Sequence, residues 1–306
     1  VDINVFPVAA PPTGFGGDAR NIAQGGPTYA NVVLEVITDQ PGLKGTAVIF
    51  TNGHGLLESC DFTRSVARRY LLDRQKPLQV DELHRDGKLG KLAKTFLLDS
   101  DYSWLGSVGV SRMAIGAVIN ALWDLTAKKQ GVPAWQLIAD MSPEELLAFI
   151  DFEQIGDVVS QQEALEIFRQ AQQGKQERID AIYQKGLLAY NTAGWSGISL
   201  EGLVDQTIKM IRAGWPQIKI KVGASWSGMR VKADEEGRIL SRDDLDKMAL
   251  QAASDDAERM ILVYKTIDEQ DTREQKMTVA VDSNQVFDPR SAFIFMKSLA
   301  EQIYAN

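Results

Sequence analysis

The chain has a single cysteine, Cys60, among its 306 residues, which excludes an internal disulfide framework and fits a reducing compartment. A basic surplus is missing as well. Lys and Arg number 33 against 41 Asp and Glu, for a net charge of −8. That balance argues against nucleic acid and against anionic membrane, both of which select basic faces. Long apolar runs are absent. The longest, around Met113 to Trp123, is too short to span a bilayer and contains Asn120, so no direct membrane insertion is expected. No signal peptide is visible. The first residue is Val1 rather than Met, which leaves a removed transit peptide open, and cytoplasm and mitochondrial matrix both fit.

What is present is an ordinary globular composition, 44% hydrophobic and 24% charged, in a chain long enough for two domains. Residues 9–28 are rich in Gly, Pro and Ala and read as an irregular lead-in. Tyr29–Thr38 and Thr46–Thr51 are strand-like on either side of the turn-forming Asp39–Gly45, which suggests a hairpin. Helical patterns follow over Leu57–Leu72 and Val80–Leu97. The strongest covers Ser111–Gln130, where Met113, Ile115, Val118, Ile119, Leu122, Trp123 and Leu125 recur at helical spacing before Gly131 and Pro133 stop the helix. Residues 1–150 therefore read as an α+β domain, with 151–185 a helical connector.

After about residue 186 the rhythm changes. Strands are predicted at Leu187–Thr192, Gln217–Val222 and Thr278–Asp282, and helices at Ser199–Ala213 and Pro289–Gln302. Strand and helix alternate, which argues for parallel βαβ units. Sixty positions separate Val222 from Asp282. A βαβ unit takes about 30 residues. The charged stretch 233–274 therefore reads as a crossover helix plus an insertion, with one extra helix on the outer surface.

In a strand, residues i and i+2 point to one side, so Lys219 and Lys221 share a face opposite Ile220. Repulsion between neighbouring ammonium groups depresses the pKa of at least one, and a lysine with lowered pKa serves as a general base. The plainer alternative is a pair of solvated lysines on an edge strand. Asp282 ends a strand and opens the polar run Asp282-Ser283-Asn284-Gln285. Sites in α/β folds lie at that end of a parallel strand, and a carboxylate there suits Mg2+. The alternative is a turn aspartate capping the next helix. Together the two signals suggest abstraction of a proton next to a carboxylate, with a metal holding the enediolate charge.

Lys219-x-Lys221 and Asp282-x-Asn284 resemble the second- and third-strand motifs of the mandelate-racemase branch of the enolase superfamily. Longer stretches are similar to the L-fuconate dehydratases within it: Met113–Phe152, Glu163–Gln172, Ala189–Gly197, Ile218–Ala224 and Val281–Pro289. The resemblance implies an α+β capping domain over a modified (β/α) TIM barrel that dehydrates a sugar acid. It implies Lys221 as base, Lys219 as the residue that tunes it, Asp282 on Mg2+, and Asn284 and Trp195 facing the substrate.

The chain also departs from that pattern. Residues 186–306 hold about three of the eight strands of such a barrel, so an incomplete barrel is expected. The family's two further acidic ligands and its opposite-face histidine would lie on later strands. The only histidines, His54 and His84, fall in the first domain and match neither role. His84, among charged residues, reads as solvated, and His54 as a turn residue. One carboxylate holds Mg2+ poorly, so binding of the ion is in doubt. Two functions follow: a non-catalytic descendant serving as an assembly subunit, with a protein partner over the open barrel edge, or an active Mg2+-dependent sugar-acid dehydratase whose remaining strands come from elsewhere. A protein that binds a sugar acid without turnover is a third.

Overall fold

The computed structural model describes residues 2–9, 29–51, 55–105, 108–153, 155–223, 238–284 and 286–306. The chain divides into two compact units, the first ending at Gly186 and the second covering 187–306. Most of the glycine- and proline-rich lead-in, together with His54, lies outside the described residues, as does residue range 224–237.

In the first unit, β1 (Asp2–Ala9), β2 (Ala30–Ile37) and β3 (Lys44–Thr51) form an antiparallel sheet in that order. The hairpin of β2 and β3 follows from the turn chemistry between them. β1 was not evident in the sequence. It carries Pro7, which a sheet tolerates at its edge, and β1 is an edge strand. Alternation along β2 sends Val32, Leu34 and Val36 into the core.

Helices α1 (Leu56–Ala67), α2 (Lys88–Leu97), α3 (Ser100–Ser103), α4 (Val110–Gln130), α5 (Ala134–Asp140) and α6 (Pro143–Leu147) follow. α4 buries Ala114, Ile115, Val118, Ala121, Leu122 and Leu125 against the sheet and α1, and Gly131 ends it at φ 70°. The helix expected over Val80–Leu97 is interrupted. A short turn at Val80–Glu82 precedes α2, because Asp86 and Gly87 take left-handed φ values of 53° and 65°. His84 is half-buried, with Nδ1 3.1 Å from Gln130 Nε2, rather than fully solvated. Helices α7 (Gln161–Ala171) and α8 (Lys175–Lys185) complete the unit, α7 starting on a capping box of Ser160 and Glu163.

In the second unit, β4 (Asn191–Thr192), β5 (Gln217–Lys221) and β6 (Thr278–Asp282) form a parallel sheet in the order β4-β5-β6. Helices α9 (Leu200–Arg212), α10 (Arg242–Gln270) and α11 (Pro289–Tyr304) join and cover it. Ile218 and Ile220 are fully buried in a core with Leu203, Ala253, Met260, Val263 and Phe295. The strand expected over Leu187–Thr192 is reduced to its last two residues, and Leu187 and Leu188 are exposed. The charged stretch is also simpler than expected. Residues 242–270 form one continuous helix of 29 residues, with a capping box of Ser241 and Asp244 at its start. No second helix follows it before β6 among the described residues. Most of its charges line one side, while Leu245, Ala249, Ala252, Ala253, Ala257, Met260, Val263 and Ile267, together with Asp256, lie buried on the other. Among the described residues no helix is long and apolar enough to cross a membrane.

Candidate active site at the ends of the parallel strands

Parallel register sets Lys221 beside Asp282, and Lys219 beside Ala280. Alternation puts both lysines and Asp282 on the face opposite Ile220, at the C-terminal ends of β5 and β6. β5 is the central strand, so the lysines are not the solvated pair of an edge strand. Lys221 is only 4% exposed, and its Nζ donates to Asp282 Oδ2 at 2.7 Å. Lys219 Nζ reaches the same oxygen at 3.1 Å. The other carboxylate oxygen, Oδ1, accepts the backbone N–H of Asn284 at 2.9 Å.

The electrostatics follow from that arrangement. Burial pushes the Asp282 carboxyl up, but donation from Lys221, from the Asn284 N–H and from Lys219 outweighs it and holds the pKa at about 2. Burial likewise disfavours the ammonium of Lys219. Its hydrogen bonds to Asp282 and to Tyr190 prevail and raise its pKa above the ordinary lysine value. The depression expected for at least one of the two lysines is therefore not found at Lys219, because a carboxylate lies between the two side chains.

Two aromatic rings flank the lysines. Lys221 Nζ lies 5.2 Å from the centre of the Trp195 ring, and Lys219 Nζ lies 5.0 Å from that of Tyr190. Lys219 also donates to the Tyr190 hydroxyl at 3.3 Å. Trp195, expected to face the substrate, packs its ring against the Lys221 Nζ. Tyr190 was missed. The signal was available: it precedes Thr192 by two residues, and Thr192 is the register partner of Lys219. Asn284 adopts a left-handed φ of 50°, which asparagine tolerates, and its side-chain oxygen is buried with no hydrogen-bond partner among the described residues.

Glycine is required at position 194. Gly194 has φ 63°, and a Cβ there would stand 2.6 Å from Leu203 Cδ1 and 2.9 Å from Ile220 Cδ1. Its carbonyl accepts the backbone N–H of Lys221 at 3.2 Å, which ties the Trp195 loop to β5.

Comparison with known proteins gives a consistent set of relatives. No protein-family model matches the chain. L-galactonate dehydratase of Hypocrea jecorina is 32% identical over 299 residues, 97% of this chain and 57% of that protein. Human mitochondrial enolase superfamily member 1 is 33% identical over 216 residues, 70% of this chain and 47% of that protein. Its crystal structure superposes with a TM-score of 0.68 at 25% identity, covering 98% of this chain and 71% of that one. L-talarate/galactarate dehydratase of Salmonella typhimurium LT2, liganded with Mg and L-lyxarohydroxamate, shares the fold at a TM-score of 0.56 and 16% identity, covering 98% of this chain and 54% of that one. The chain spans about half the length of the curated relatives it matches.

Proposed function

Because this chain belongs to the enolase superfamily, in its mandelate-racemase branch, we propose that its second unit carries the proton-abstraction part of a sugar-acid dehydratase site, which these 306 residues do not operate by themselves. The observation that carries this reading is the shared oxygen, Asp282 Oδ2, to which both Lys221 and Lys219 donate. A general base must be neutral to accept a proton. Here the Lys221 Nζ is already engaged with Asp282, whose same oxygen also takes Lys219.

In this reading the first unit is the capping domain and the second is the opening part of the barrel. Lys221 is the group that takes the proton next to the substrate carboxylate before water is lost. Lys219 tunes it, and Asn284 and Trp195 face the sugar acid. L-fuconate and L-galactonate are the substrates to test. The buried Asn284 oxygen, which has no hydrogen-bond partner among the described residues, and the two cations support affinity for a hydroxylated anion.

The described residues do not fit Mg2+ on their own. Asp282 supplies one carboxylate, already engaged at both oxygens. Among the described residues no group of three or more His, Cys, Asp or Glu is placed to hold a metal. Mg2+ demands a near-octahedral oxygen shell, which a single carboxylate does not provide.

We therefore favour a role as a structural or assembly subunit, non-catalytic alone, in a reducing compartment such as cytoplasm or mitochondrial matrix. Parallel sheets are normally covered at both faces and edges. Here β6 and the two-residue β4 are the sheet edges, and Leu187 and Leu188 beside β4 are exposed. A protein partner supplying further strands at the β6 edge would cover it. The intact Lys-x-Lys and Asp-x-Asn cluster favours a second reading, an active enzyme whose remaining strands are supplied elsewhere.

Calorimetric titration of the purified chain with Mg2+ separates the two. The expected result is no saturable binding. A one-to-one site that disappears in Asp282→Asn would overturn the non-catalytic reading.

A further inference from the structure

The buried polar groups of α10 form a cluster that the proton-abstraction chemistry does not use. Asp256 is 5% exposed, and its Oδ2 accepts the backbone N–H of Gly223 at 2.6 Å. Gly223 lies two residues beyond Lys221 on the same stretch of chain. Arg259, three residues further along α10, reaches the other side of the site. Its Nη1 donates to the Ile198 carbonyl at 2.8 Å, and its Nη2 contacts the carbonyls of Gly194 and Trp195, each at 3.4 Å. The Gly194 carbonyl also accepts the backbone N–H of Lys221.

One turn of α10 therefore holds the chain on both sides of the lysine. Asp256 fixes the exit of β5, and Arg259 fixes the loop that carries Trp195. The planar guanidinium fork suits this task, because it satisfies several carbonyls of one loop at once. Positions i and i+3 on a helix share a face, so the two groups act toward the same end of the sheet. A buried carboxyl and a partly buried guanidinium are costly, and apolar residues would cover the same helix face without that cost.

We propose that Asp256 and Arg259 are positioning residues for the Lys221–Trp195–Asp282 cluster. The pair sets the Trp195 loop against the Lys221 ammonium and holds the end of β5 in register beside Asp282. This rests on the site reading given above, but it concerns how the cluster is held rather than whether it turns over.

The test is 19F NMR of the full chain labelled with 5-fluorotryptophan. Six tryptophans give up to six resonances, and Trp195→Phe assigns the one that matters. Lys221→Met moves that resonance in the native background, because it removes the ammonium from the ring. Arg259→Gln is expected to shift and broaden the Trp195 resonance, to leave the other five in place, and to abolish its response to Lys221→Met. Asp256→Leu, which removes the acceptor of the Gly223 N–H, is expected to weaken that response, and Asp256→Asn, which keeps an acceptor, to restore it. Arg259→Lys, which keeps the charge but loses the fork, gives an intermediate shift and serves if Arg259→Gln does not fold. The proposal is overturned if Trp195 in the Arg259 variants resonates as in the native chain and still responds fully to Lys221→Met. It is equally overturned if all six resonances move together. The readout needs neither Mg2+ nor turnover, so its failure is distinct from failure of the dehydratase reading.

Discussion

Asp256 offers a sharp energetic test of how the second unit is built. Burial pushes its carboxyl from the ordinary 3.8 up to about 6, against the pull of the Gly223 N–H and the Arg259 charge, with Asp255 adding a push in the same direction as burial. An acid whose folded pKa lies above its unfolded value binds its proton more tightly in the folded state. Stability then falls as pH rises through the interval between the two values and stays reduced above it. Each pKa unit corresponds to about 1.4 kcal/mol, so the ionised Asp256 costs about 3 kcal/mol near pH 8 and only about 0.5 kcal/mol near pH 4. Asp256→Asn keeps an oxygen for the Gly223 N–H and cannot ionise. It is expected to stabilise the chain by nearly the whole of that cost near pH 8, and hardly at all near pH 4. Urea unfolding followed by circular dichroism, at both pH values and with the denaturant slope unchanged, measures the difference. A pH-independent effect, or destabilisation near pH 8, would mean that Arg259 compensates the charge fully and would refute the reasoning.

Three further outcomes follow from the same geometry. Gly194→Ala meets Leu203 and Ile220 and must adopt φ 63°, so a loss of about 2–4 kcal/mol is expected by thermal unfolding. Asp271, its side chain fully buried, accepts from Arg273 and from the Met277 N–H; Asp271→Ala leaves that N–H unpaired while Arg273 stays partly solvated, so a cost of about 1–3 kcal/mol is expected, and a near-neutral result would refute it. Donation from Arg273 holds the Asp271 carboxyl well below the usual range despite burial, so its stabilisation is complete at neutral pH and is lost as pH falls through the carboxylate range. Leu203→Ala, at a fully buried position, should cost about 2–5 kcal/mol in the same assay.

Much of this site was legible because its residues obey short-range rules. Alternation alone places Lys219 and Lys221 on one face and Ile220 on the other. The strand starts at Gln217 and Thr278 were readable from their β-branched and apolar content, and the helix start at Pro289 from its proline. What was not legible is set by register and packing. Lys221 and Asp282 are 61 positions apart, and nothing local says that Lys221 and Lys219 meet on one Asp282 oxygen. That sharing reversed the expected electrostatics at Lys219. Tyr190 escaped because it lies just before a strand only two residues long. Asp256 and Arg259 lay in a highly charged stretch that reads as a solvated surface. Only the packing of α10 distinguishes them from the charges around them. The break at Asp86 and Gly87 was hidden for a different reason. The apolar spacing continues across it, while the left-handed backbone does not.

The account turns on whether the lysine pair and Asp282 amount to a working site within these 306 residues. The most direct measurement is formation of a 2-keto-3-deoxy acid from L-fuconate or L-galactonate by the purified chain with Mg2+ present. The account predicts no product above background, for the native chain and for Lys221→Ala alike. Product formed by the native chain and abolished in Lys221→Ala would contradict it.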